Sequence, residues 1–131
     1  MPGAAFERVY SRAVWEAQVG YCRAVRAGDL VFVTGTAPVD ETGAGVHAPG
    51  DAEAQAGRCL ELIERALAQF GADRTRVART RMFVTDIARW AEFGRAHAAF
   101  FGEHRPATTM VEVRALISPG MLIEIEADAV L

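Results

Sequence analysis

The stretch Arg105-Pro106-Ala107-Thr108-Thr109-Met110-Val111-Glu112-Val113-Arg114-Ala115-Leu116, then Ile117-Ser118-Pro119-Gly120, then Met121-Leu122-Ile123-Glu124-Ile125-Glu126-Ala127-Asp128-Ala129-Val130-Leu131, decides the fold. Two runs of period-two alternation flank a Ser-Pro-Gly turn, which predicts an antiparallel hairpin. In the second run Ile123, Ile125, Ala127 and Ala129 share one face, and Glu124, Glu126 and Asp128 the other. In the first, Val111 and Val113 oppose Thr108, Met110, Glu112 and Arg114. One face is therefore core. The other mixes charge with apolar bulk, and functional residues are sought there.

Upstream, Phe6–Tyr10 is a candidate first strand, and Tyr21–Ala27 and Leu30–Thr34 are two more, joined at Gly28-Asp29. Asp51 is placed to cap a helix over Ala52–Phe70 that stops at Gly71. Its apolar residues (Ala56, Cys59, Leu60, Ile63, Leu67, Phe70) recur at three- and four-residue steps. Val77–Val84 alternates again, and Asp86 opens a second helix to about Phe101, ended by Gly102. Two helices cover one face of such a sheet and leave the other without a layer. That face is expected to carry Tyr21, Arg23, Arg79, Arg81, Phe83, Thr108, Met110, Glu112, Leu122 and Glu124, a mixture suited to a wet oligomer interface. The expectation is an α+β oligomer with a mixed sheet and an antiparallel edge from the final hairpin.

At 131 residues the chain is expected to form one domain, residues 1–131. A formal net charge of −3 argues against a dedicated nucleic-acid or anionic-membrane binder. No apolar run reaches the roughly 18 residues of a membrane span, and Met1–Glu7 lacks the pattern of a signal peptide, so a cytoplasmic protein is expected. Cys22 and Cys59 lie far apart and outside any CxxC pattern, as in a chain whose thiols stay reduced. The sequence offers no metal-ligand cluster and no phosphate-cradling glycine loop, so no metal or cofactor is expected.

The ending "RPATTMVEV … MLIEIEA", with "VGYCRAVRAGDLVFVTGTAPVD" and "TRMFVTDIARWAEFGRAHAAFF", closely resembles the RidA/YjgF family of small trimeric imine-handling proteins. The resemblance implies a chorismate-mutase-like trimer, its sheets forming a central barrel with clefts between subunits. It also implies hydrolysis of reactive enamines and imines to 2-oxo acids and ammonia. By motif, Glu124 is the family glutamate that positions or activates water, and Tyr21 the cleft tyrosine. Met110 would offer its backbone carbonyl near the attacking water, and Thr34 lies in a site-lining segment. Thr108 stands where the deaminases carry the arginine that grips the substrate carboxylate, and Ala88 where an asparagine is frequent. Such an arginine contact is worth about 1.5–3 kcal/mol. Arg23 or Arg105 could replace the cation. Glu124 has a second reading as a cross-strand ion-pair partner of Arg79 or Arg81. Three functions compete: hydrolase of imines or related small carbonyl compounds, non-catalytic trimer binding a small metabolite, and ribonuclease or translation inhibitor, which the acidic charge disfavours.

Overall fold

A computed structural model describes residues 5–131. In chain order the elements are β1 (Phe6–Val9), α1 (Trp15–Val19), β2 (Ala24–Ala27), β3 (Leu30–Thr36), α2 (Ala52–Ala68), β4 (Val77–Val84), α3 (Trp90–Phe101), β5 (Ala107–Glu112) and β6 (Ile123–Val130). The strands form one mixed sheet in the order β1-β2-β3-β6-β4-β5, in which only β4 and β5 run parallel.

The expected final hairpin is not formed. β5 pairs with β4, and β6 lies between β3 and β4, at the centre of the sheet rather than its edge. Alternation states which face of a strand is apolar but not which strand lies beside it. The crossover through α3 sets β5 parallel to β4, and the connection after β5 returns the chain to the sheet centre. There Ile123, Ile125, Ala127 and Ala129 are all but fully buried. The strand with the most regular alternation occupies the position where an apolar face is best covered.

α2 forms where its capping and periodicity require. Asp51 accepts a hydrogen bond from the Ala54 amide, and Gly71 takes a positive φ of 74° just past the end. Its face Ala56, Cys59, Leu60, Ile63 and Leu67 is buried against β3, β6 and α3, where each large aliphatic side chain contributes about 1.5–3 kcal/mol. Gln55 is buried on the same helix. Its Nε2 donates to the Gly120 carbonyl at 2.9 Å and its Oε1 accepts from the Leu122 amide at 2.8 Å. This clamp ties the turn before β6 to α2 and fixes where β6 begins, one residue ahead of Glu124.

Among the described residues neither long helix lies over the other face of the sheet. Arg81, Phe83 and Glu124 lie there as expected, with Glu126 and Asp128. Thr108, Met110 and Glu112 do not. In register with Thr80, Met82 and Val84, they take the helix-covered side, and Met110 and Leu122 pack against the core. The two valines of the first alternating run point to its inner face, whereas pairing with β4 sets the opposite parity. A one-residue shift in that assignment reverses every side chain.

Candidate functional site

The chain between β1 and β2 builds one side of a cleft of about 830 Å³. α1 is five residues long, too short to leave a periodic signal, and the sequence reading missed it. It is held by Glu16, a carboxylate only 5% exposed. Glu16 accepts from the Ser11 amide at 2.9 Å and from the Ser11 hydroxyl. Its Oε2 lies 3.2 Å from Arg23 Nε, so the two buried charges neutralise each other. The Nε–H points off that line and finds no hydrogen-bond partner, while Nη1 donates to Thr36 Oγ1 at 3.2 Å. Removing either member of such a pair leaves the other charged and buried, which makes the pair a fixed strut.

Opposite this strut, β3 carries an irregularity between Val33 and Thr36. Bulges of this kind re-aim side chains and occur beside sites. Within it lies Gly35, where a Cβ would fall onto Glu124 Oε2 and 3.1 Å from Cδ. The glycine makes room for the Glu124 side chain to lie over β3.

Tyr21, Arg23, Thr34 and Glu124 all line the cleft. Burial raises the Glu124 pKa above the ordinary glutamate value; Arg23 opposes the shift and Glu126 adds to it. Burial also raises Tyr21, whose ring lies 5.8 Å from the Arg23 guanidinium. The cross-strand ion pair considered for Glu124 goes to its neighbours instead, since Arg81 contacts Glu126 at 3.3 Å and Asp128 at 3.1 Å. Among the described residues, then, Glu124 is a largely buried carboxylate that forms no ion pair. A carboxylate with a raised pKa can accept a proton from water and return it within one reaction cycle.

Thr108 and Met110 are not in this cleft. Thr80 donates to Thr108 Oγ1 at 2.7 Å and lies 2.8 Å from His97 Nε2, whose ring packs on Phe101. Both residues sit on β5, an edge strand. Glu16 and Thr36 are buried polar residues behind the cleft lining, where they hold Arg23, and Glu16 is absent from the sequence reading. The only sequence signal for Glu16 is an acid within Val14-Trp15-Glu16-Ala17, beside bulky apolar residues. Among the described residues no group of three or more His, Cys, Asp or Glu is arranged to hold a metal ion, and no helix is long and apolar enough to cross a membrane.

The sequence profile of the family described as Endoribonuclease L-PSP matches residues 11–131. The chain belongs to the YjgF/RidA family. A solved YjgF/YER057c/UK114 family member from Mycobacterium tuberculosis is 49% identical, with a TM-score of 0.86 over 96% of this chain and 99% of that one. The YjgF protein of E. coli is 30% identical at a TM-score of 0.82, over 95% and 98% of the two chains. Among curated relatives, the 3-aminoacrylate deaminase RutC of Acinetobacter baylyi is 37% identical over 109 residues, 83% of this chain and 85% of that one. The mixed sheet with both long helices on one face is the YjgF/RidA fold.

Proposed function

We propose that this YjgF/RidA chain, one domain over residues 1–131, is a hydrolase of reactive imines, enamines or related small carbonyl metabolites. The observation that carries the reading is Glu124, held over Gly35 without an ion-pair partner in a cleft of about 830 Å³. Glu124 takes a proton from water as the oxygen attacks the C=N carbon, giving a carbinolamine. The same carboxyl then returns the proton to nitrogen. The carbinolamine hydroxyl next passes its proton to nitrogen through the same carboxyl as the C–N bond breaks and the carbonyl forms, and ammonia leaves. Tyr21 and Thr34 bind the substrate, and the Glu16–Arg23 strut holds the floor in place. The relative named as a 3-aminoacrylate deaminase supports this class of reaction.

The test is ammonia release from freshly generated imines, with and without a carboxylate. Release well above the uncatalysed rate is expected for at least one. If none is accelerated, the protein is a small-metabolite binder, the reading favoured by the absence of an arginine at position 108. Gly35→Ala gives a second check. Its methyl meets the far end of a flexible side chain rather than backbone, so the fold should survive. The displaced carboxylate should lower turnover about a hundredfold, with little change in the thermal midpoint. Unchanged turnover would place the chemistry elsewhere.

In this reading the protein is a cytoplasmic homotrimer. The two cysteines are free thiols, as suits a reducing compartment. Phe6, Leu30, Phe32 and Val130, each close to half exposed, share the open sheet face with the Arg81–Glu126–Asp128 cluster. Apolar side chains around charged pairs fit an interface between copies. Assembly would also cover the β5 edge and bring Thr108 and Met110 to a neighbour's cleft. Light scattering should give about three times the 14.1 kDa chain mass. A stable monomer at micromolar concentration would contradict the trimer.

A further inference from the structure

Thr80 of β4 has no exposure to solvent, so its hydroxyl must be satisfied inside the protein. One partner would do that, and it has two. His97 Nε2 of α3 lies 2.8 Å away, and Thr108 Oγ1 of β5 accepts its hydrogen at 2.7 Å. The three side chains form a row from α3 to the outer strand of the sheet. At one end the imidazole is held against the Phe101 ring, with 4.6 Å between centroids. At the other end Thr108 is exposed. A row that served only to satisfy Thr80 would have no reason to end at an exposed hydroxyl.

The hydrogens in this row can be counted. Thr80 carries one, and having given it to Thr108 it can only accept from His97. Burial lowers the His97 pKa, so the ring is neutral at neutral pH and bears a single N–H. That N–H must be at Nε2. Thr108 accepts from Thr80 with a lone pair, which leaves its own hydrogen for an acceptor outside the row. Among the described residues it donates to no other group. If the ring hydrogen moved to Nδ1, every bond would reverse and Thr108 would offer only lone pairs. The tautomer at His97 therefore decides what Thr108 shows to a molecule beyond the edge of the sheet.

Resting on the trimer and the imine-hydrolase reading of its clefts, we infer that His97 and Thr80 are positioning residues for the neighbouring subunit's cleft. Through them Thr108 turns its O–H outward and donates it to an acceptor oxygen, carbonyl or carboxylate, of the molecule bound there. The row supplies direction rather than charge. Glu124 handles the proton of water in that cleft, and the row holds the oxygen end of the ligand.

Nitrogen-15 spectra of the histidine-labelled trimer at neutral pH test the row without turnover, with the His97 signals assigned by their loss in His97→Gln. His97 should show the Nε2–H tautomer, and an Nδ1–H ring overturns the inference. Pyruvate and acetone, an anionic and a neutral carbonyl compound without N–H or O–H groups, are then titrated in. At least one should shift the His97 signals, although two hydroxyls separate the imidazole from the ligand. Thr80→Val keeps the shape and removes the hydroxyl. It should abolish the shift and weaken binding about fivefold, and Thr80→Ser should restore both. Thr108→Val, at an exposed position, should also abolish the shift, and adding Thr80→Val to it should weaken binding no further. A purely structural Thr80 would weaken binding by the same factor whichever residue stands at 108. That result overturns the inference, as does a shift from neither probe. If the shifts behave as expected and no imine releases ammonia, only the hydrolase reading falls. If ammonia is released and His97 stays silent, only the positioning role falls.

Discussion

Glu16→Ala should destabilise the folded chain by roughly 3–5 kcal/mol, the cost of leaving one member of a buried ion pair alone. Glu16 and Arg23 side chains are 5% and 8% exposed, so solvent screens little of the loss. The Arg23 guanidinium would keep only Thr36, with its Nε–H still unpartnered. Ser11 would lose the carboxylate that binds its amide and hydroxyl, and α1 would lose its only buried side chain. Urea denaturation measures the change. Glu16→Met combined with Arg23→Met should recover much of the loss, because apolar replacement of both partners removes the stranded charge. A loss below about 1 kcal/mol for Glu16→Ala would mean the pair behaves as an exposed one.

The parts of the fold written in the sequence are those that local rules determine. α2 has a capping aspartate, an apolar stripe and a terminating glycine, and it forms from Ala52 to Ala68. The inner and outer faces of β6 follow directly from its alternation. Neighbour relations were not legible. The turn at Ser118-Pro119-Gly120 has hairpin composition, yet the strands on either side are separated by β4. The same gap reversed β5, since Val111 is as apolar as Met110 and only the register with Met82 decides between them. Among the site residues, Tyr21, Arg23, Thr34 and Glu124 line one cleft, although neither Tyr21 nor Arg23 lies in a strand. Thr108 and Met110 lie away from it on β5. Glu16 was invisible because a lone acid on a five-residue helix looks like surface until the arginine that pairs with it is placed.

Glu124→Gln should have the largest effect on function. The amide keeps the shape of the side chain and cannot accept the proton, and loss of a general base typically lowers turnover roughly 10²–10⁴-fold. The wild-type rate should fall with acid as the carboxylate is protonated, and do so above the pH of an ordinary glutamate because burial raises this pKa. Stability has the opposite sign. A group whose folded pKa lies above its unfolded value contributes stability fully present below the unfolded pKa and lost as pH rises through the folded one. Glutamine mimics the protonated form at every pH. The variant should therefore be more stable than wild type at neutral pH, with the advantage vanishing in acid. An unchanged denaturation midpoint at neutral pH would mean that Glu124 is not desolvated in the assembled protein.

The most direct measurement is ammonia release by wild type and Glu124→Gln side by side, at neutral pH, on protein of verified oligomeric mass. The substrate is the imine that wild type turns over fastest. The prediction is turnover in wild type and its loss in the variant, with both assemblies intact. A variant that keeps most of the wild-type rate would contradict the placement of the chemistry at Glu124.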